Sequence, residues 1–282
     1  VLDGRPSVTA ERVALRRAAH QVLDLPPVFQ DPLALPIAGL SAIDVSPEEG
    51  ETARINRQRR AFIAVRSRYV EDELAQLVGR GVDQYVVLGA GLDTFAYRNP
   101  YPQLRVFEVD HPATQSWKRE RLASSGIAVP ASLAYAPIDF ERERLADALA
   151  HAGFDSSRPA CFSWLGVVAY LQLEAVFDTL RFVASCAPLT TIVFDYSTPP
   201  DRLAPRQRQR FDIIAGKAAA AGEPWLTFFD PLELDARLRE IGFSDVEDID
   251  ADTLNSRYFS SRTDGLRIEG VGRFAHTARA SR

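Results

Sequence analysis

Apolar residues recur at helical spacing over the first eighty or so positions and in short blocks after that. From Val8 to Leu23, Leu15, Ala18 and Val22 mark one helical face. Pro26-Pro27 ends that helix, and Asp31-Pro32 begins another turn. Ser46-Pro47-Glu48-Glu49 offers an N-cap, a proline at the first helical position and a glutamate at N3, the pattern of a capping box. It predicts a long helix from about Thr52 to Val78, with Phe62, Tyr69, Val70, Leu74 and Leu77 inward.

From Gln84 the pattern changes. Tyr85–Leu88, Arg105–Val109, Leu133–Ile138, Ala160–Trp164 and Thr191–Phe194 read as five strands. Helices are expected between them at Pro112–Ser124, Glu141–Ala152 and Leu173–Ala184, the first two stopped by Gly126 and Gly153. Strands alternating with helices predict a parallel sheet covered on both faces. After Tyr196 the alternation breaks. Ser197 to Phe229 is too long for a simple connection and reads as an inserted helical cap. Asp230-Pro231-Leu232-Glu233 then caps a helix to Ile241, with Gly242 just past its end. Val246–Ile249 and Leu266–Phe274 are expected as a final antiparallel pair. The expected division is an N-terminal helical extension over 1–80 and an α/β domain over 81–282, with the cap at about 197–229.

Composition narrows the classes. Charged residues make up 25% and the net charge is −5, which gives no basic footprint for nucleic acid. No apolar run approaches the ~18 residues of a membrane span, and Val1 to Gln21 does not read as a secretory signal. A cytoplasmic enzyme fits. The chain has no Met, even at position 1, which points to a natural start other than Val1. The two cysteines, Cys161 and Cys186, sit in apolar segments and read as buried thiols, with no metal site implied.

The sharpest chemistry is Val86-Val87-Leu88-Gly89-Ala90-Gly91-Leu92-Asp93-Thr94. Glycines let the backbone turn sharply and approach a ligand closely, and in open α/β sheets ligands sit beyond the carboxyl ends of the strands. The second strand ends at Asp110, where a carboxylate can accept from both ribose hydroxyls. Beyond the third stand Asp139, able to accept from an adenine amine, and Phe140, able to pack nearby. Each has a plainer explanation alone: a tight turn for the glycines, a helix cap for either aspartate. Together they suit an adenosyl ligand. A dinucleotide fingerprint would need a third glycine where Thr94 stands.

The segments Val87–Thr94, Ala96-Tyr97-Arg98 and Phe107-Glu108-Val109-Asp110-His111-Pro112 resemble the leucine carboxyl methyltransferase family, most nearly its bacterial S-adenosylmethionine-dependent branch. Pro26–Ala34, Arg66–Asp72 and Ser163–Leu171 support this, and the likeness runs from about Thr9 to the C-terminus. The resemblance implies a class I, Rossmann-like methyltransferase fold. It implies ribose binding by Asp110, adenine binding by Asp139 and Phe140, and contact of Arg66 with the methionine carboxylate. With the loop residues Leu88, Gly89, Ala90 and Gly91, these form the expected cofactor set. Arg66 lies in a helix with Arg54, Arg57, Arg59, Arg60 and Arg68, and such runs are usually solvated faces. Relatives acting on protein C-termini carry a Glu at a position that here matches Leu165, which leans away from a protein substrate.

No general base announces itself. Tyr170, Tyr196 and His111 are the candidates, each with a structural alternative: packing for the tyrosines, a strand-to-helix turn for His111. Phe211, Trp225, Phe228 and Phe229 either line an acceptor pocket or form the cap's own core. The expectation is O-methylation of a carboxyl or hydroxyl on a small, apolar metabolite, plausibly of secondary metabolism. The alternatives are a nicotinamide-dependent oxidoreductase and a non-enzymatic nucleoside-binding protein on the same fold.

Overall fold

A computed structural model describes residues 7–46, 50–269 and 272–278, with backbone alone for 50–52. Three helices come first: α1 (Val8–Leu23), the short α2 (Ala34–Ala38) and the thirty-residue α3 (Gly50–Gly79). Ser7 caps α1 by accepting from the Ala10 N–H. Pro47, Glu48 and Glu49 of the expected capping box lie outside the described residues.

The alternating part then runs β1 (Gln84–Leu88), β2 (Arg105–Asp110), α4 (Pro112–Ser124), β3 (Leu133–Pro137), α5 (Leu145–His151), β4 (Cys161–Trp164), α6 (Leu173–Ser185) and β5 (Thr191–Ser197). It is followed by α7 (Pro205–Ala220), α8 (Pro231–Ile241), β6 (Asp245–Ile249), α9 (Ala251–Tyr258) and β7 (Gly272–Ala278). Among the described residues the seven strands form one sheet in the order β3-β2-β1-β4-β5-β7-β6. The first five are parallel, and β7 runs antiparallel between β5 and β6. The order reverses between β1 and β4, so a crevice opens there beyond their carboxyl ends.

Both faces of the sheet are buried. One carries Phe107, Phe162, Trp164 and Phe194 against Leu149 of α5, Leu180 of α6 and Leu238 of α8. The other carries Tyr85, Val87 and Phe274 against Val65, Tyr69 and Leu74 of α3 and Leu254 of α9. This explains the short, unbroken apolar strands of the sequence. Cys161 and Cys186 are buried thiols, as expected. Among the described residues no helix is long and apolar enough to cross a membrane.

The larger departures from expectation each have a local reason. The helix expected from Glu141 starts at Leu145, because the Asp139 carbonyl accepts from the Arg142 and Glu143 N–H groups in a separate turn. Strand β5 runs three residues longer, to Ser197, where it pairs with Gly272. The apolar stretch from Leu266 is not strand up to Glu269. Leu266 and Ile268 are buried, but Ile268 exchanges both backbone hydrogen bonds with the Asn255 side chain of α9, so no strand partner is left to it. Helix α9 itself was not expected; Asp250 caps it through the Thr253 N–H.

One polar cluster locks α1 to α3. Asp24, 1% exposed, accepts from Arg60 Nε and Nη2 at 2.9 and 3.1 Å and from His20 Nδ1 at 3.0 Å. His20 Nε2 accepts from the Val28 N–H, which fixes the neutral tautomer. Burial raises the Asp24 carboxyl, but the bonds from His20 and Arg60 outweigh it and hold the group below its ordinary 3.8. A depressed folded value contributes stability above about pH 3.8 that is lost as pH falls through the folded value. Asp24→Asn should therefore cost about 1.5–3 kcal/mol at neutral pH, with the deficit shrinking below pH 4. Urea unfolding of both proteins from pH 7 to 2 measures this, and a pH-independent deficit would contradict it.

Candidate functional site

Everything in the site follows from where strands β1 to β4 stop. Beyond β1, Gly89 and Gly91 take positive φ values of +65° and +47°. A Cβ on Gly89 would stand 2.2 Å from Val167 Cγ2, and one on Gly91 would stand 3.2 Å from Ala10 Cβ. The loop is thus pressed between the segment after β4 and the first helix, where only glycine fits both the angle and the space. Asp93 ties it down. Its carboxylate accepts from the Phe95 N–H at 2.8 Å and from Arg17 Nη1 at 3.0 Å. Burial would raise Asp93, but Arg17, Lys118 and Arg98 outweigh it and keep the group ionised.

At the end of β2, Asp110 Oδ2 accepts from the Gly91 N–H and Oδ1 from the His111 N–H at 2.7 Å. Burial pushes this carboxyl up, while those two N–H groups pull it back. Each oxygen keeps a second lone pair for a ligand hydroxyl. Asp110 does not cap α4. His111 does, with Nδ1 accepting from the Ala113 N–H. His111 is thus the strand-to-helix residue that its sequence position allows. After β3, Asp139 Oδ1 accepts from the Glu141 N–H, and the ring of Phe140 lies 6.1 Å from that of Trp164.

All eight expected cofactor residues line a single cavity of about 440 Å³: Arg66, Leu88, Gly89, Ala90, Gly91, Asp110, Asp139 and Phe140. That volume is in the range of small-molecule sites. Leu165 lines it too, as does α1 through Ala10, Val13, Ala14 and Arg17. The contribution of α1 was missed in sequence. Its periodicity reveals an inner face but not what that face covers.

A second cavity of about 420 Å³ adjoins the first. Thr9, Val13, Arg66, Gly166, Val167 and Tyr170 line both, so the two cavities meet along these residues. At this boundary Arg66 Nη1 donates to Asp195 Oδ2 at 3.0 Å, and Asp195 Oδ1 accepts from the Gly166 N–H. Asp195 and Gly166 were given no role in sequence, although Gly166 lies within the Ser163–Leu171 segment that carries the family resemblance and Asp195 lies near the end of β5. Tyr170 faces both cavities. Tyr196 lines the second, but its hydroxyl donates to Asp248 Oδ1 at 2.7 Å, and burial together with that carboxylate raises its pKa.

The arginine run of α3 does not form one solvated face. Arg60 is buried on Asp24 and Arg66 on Asp195, Arg57 pairs with Asp264, and Arg68 pairs with Asp72 in the open. Arg59 faces the second cavity. The aromatic group after β5 also divides. Phe211 and Trp225 line the second cavity, Phe228 packs on Phe211 at 5.5 Å, and Phe229 is core against Phe177 and Tyr196.

A sequence model of the leucine carboxyl methyltransferase family matches residues 10–184. The Bacillus subtilis protein named "Putative S-adenosyl-L-methionine-dependent methyltransferase YktD" is 35% identical over 217 residues, covering 76% of this chain and 71% of that protein. A Mycolicibacterium paratuberculosis protein with the same general name is 37% identical over 223 residues, 73% of this chain and 69% of its own. Among solved structures, one titled as a putative methyltransferase from Thermobifida fusca YX is 17% identical. It matches with a TM-score of 0.55 over 99% of this chain and 97% of that one, a likeness of fold.

Proposed function

The chain belongs to the leucine carboxyl methyltransferase family and is S-adenosyl-L-methionine-dependent, and from that premise we propose that it O-methylates a small molecule with an apolar body, held in the second cavity. The observation that carries this reading is the shared boundary: a cavity lined by the adenosyl-type residues meets, along Arg66, Gly166, Val167 and Tyr170, one lined by Phe62, Phe211, Ile214 and Trp225, and in this reading that boundary is the mouth through which methyl and acceptor meet.

When bound, S-adenosyl-L-methionine supplies a methyl group on a positively charged sulfur, open to in-line displacement. In this reading Asp110 accepts from the ribose hydroxyls, Asp139 from the adenine amine, and Phe140 covers the base. The glycine bend lets the backbone approach the methionine portion. Arg66, held by Asp195, presents its remaining N–H groups to the carboxylate end. Helix α1 lies over the loop and shields the mouth from water. Orientation and exclusion of solvent then provide most of the rate.

Among the described residues no histidine lines the second cavity, and its two carboxylates, Asp195 and Glu269, are each paired with an arginine. A carboxylate acceptor, with a pKa near ~4, is already ionised at neutral pH and needs no base, whereas a phenol near ~10 does. This favours a carboxyl over a hydroxyl as the methyl acceptor. The N-terminal helices and the segment at about 197–229 serve in this reading as the walls of the acceptor site.

Incubation with methyl-labelled S-adenosyl-L-methionine and a panel of apolar acids, phenols, alcohols, amines and carbon nucleophiles should label at least one acid. Labelling of nitrogen or carbon nucleophiles alone would contradict O-methylation. Asp110→Ala should weaken S-adenosylhomocysteine binding by about 1–3 kcal/mol, roughly 5- to 150-fold. Unchanged affinity by calorimetry would remove the ribose role.

A further inference from the structure

We propose that the second cavity recognises an organic oxyanion through Arg59, with Arg12 adding charge beside it, and that this anion lies at the end of the acceptor away from the transferred methyl. The proposal rests on the reading of this cavity as the acceptor site.

Arg59 projects from α3 into the cavity, half-buried, and among the described residues no carboxylate pairs with it. This sets it apart from the other arginines of that helix whose partners were described above. Arg12 of α1 lines the same wall, and its one described hydrogen bond as a side chain is to the Lys217 carbonyl at 3.3 Å. Two guanidinium groups thus share a partly desolvated wall with no neutralising carboxylate between them. Burial lowers the Arg59 pKa, and the nearby Arg12 adds to this against an opposing pull from Tyr170.

Trp225 marks the same part of the cavity, which its ring lines between Phe211 at 5.4 Å and Tyr170 at 6.5 Å. Two cations on one wall match an oxyanion, which accepts from both and donates to neither.

Position separates this wall from the chemistry. Arg66, Gly166, Val167 and Tyr170 line both cavities, whereas Arg59, Arg12 and Trp225 line only the second. A molecule whose anion is held there extends its apolar body past Phe62 and Ile214 toward the mouth, where a second oxygen meets the methyl. Arg59 is thus a specificity residue, and the acceptor class is an amphipathic acid carrying a further carboxyl or hydroxyl group.

The test uses matched probes: 3-(4-hydroxyphenyl)propanoate and its primary amide, and the corresponding hydroxynaphthyl pair. Their binding to the full chain loaded with S-adenosylhomocysteine is measured by calorimetry. Wild type should bind the better acid about tenfold or more tightly than its amide, as expected for charge-assisted hydrogen bonds. Arg59→Gln should erase that preference and Arg59→Lys should restore part of it. Equal affinity for acid and amide, an acid preference that survives Arg59→Gln, or no acid binding at millimolar concentration would each overturn the proposal. S-adenosylhomocysteine affinity is read separately in every variant, so loss of the first cavity is distinguished from loss of the anion wall.

Discussion

Lys118→Met should cost about 3–5 kcal/mol of folding stability at neutral pH, the range expected when one partner of a buried ion pair is removed. Lys118 on α4 and Glu108 on β2 are each 1% exposed, with Nζ 2.8 Å from Oε2. The Tyr97 hydroxyl donates to the same oxygen at 3.1 Å, and the Lys118 ammonium lies 5.3 Å from the Tyr97 ring centre. Burial pushes the Glu108 carboxyl up to about 7, against the pull of Lys118. Without the ammonium that value rises further. A raised folded value contributes stability that is full below the unfolded value near 4.5 and is lost as pH rises through the folded one. The deficit of Lys118→Met should therefore be smaller at pH 5, where Glu108 can take a proton, than at pH 8. The double variant Glu108→Gln/Lys118→Met removes both charges and should recover most of the loss. Chemical denaturation of the four proteins at both pH values gives the full cycle. A deficit below 1 kcal/mol at pH 8 would mean that the pair contributes far less than its burial implies.

Gly89→Ala should have the largest effect at the candidate cofactor loop. The positive φ of this residue costs a non-glycine residue about 1–2 kcal/mol. Its new Cβ would also collide with Val167, and relief of such overpacking typically costs about 1–3 kcal/mol. The total, roughly 2–5 kcal/mol, divides between a lower melting temperature and weaker S-adenosylhomocysteine binding, the latter by at least about tenfold. Val167→Ala in the same chain should return the steric part and leave the conformational part. Wild-type melting and affinity in Gly89→Ala would show that the bend is not held as tightly as the geometry requires.

The parts of the fold that were legible in sequence are those fixed by local signals. Buried parallel strands read as brief apolar blocks, and Gly89, Asp110 and Asp139 mark the carboxyl ends of the first three. Helix α8 was readable at both ends, from the Asp230 cap and from Gly242 at φ +116°. The eight expected cofactor residues of the first cavity were legible for the same reason, since each lies at a strand end or carries a family motif. What sequence could not supply were partners distant along the chain. Asp24 lies 36 positions from Arg60, and Asp195 lies 129 from Arg66. Without those partners a run of arginines on α3 looks like one wet surface, although it serves two buried ion pairs and a cavity wall. The 266–268 stretch misled in the opposite way. Its apolar residues are buried as a strand's would be, but a single asparagine side chain takes the place of the neighbouring strand.

A crystal structure with S-adenosylhomocysteine is the most direct test. The ribose hydroxyls should lie within hydrogen-bonding distance of Asp110, the adenine beside Asp139 and Phe140, and the sulfur should face the Arg66–Tyr170 mouth. Nucleoside density in the second cavity, or an Asp110 carboxylate without contact to the ribose, would contradict the convergence of these residues on one adenosyl group.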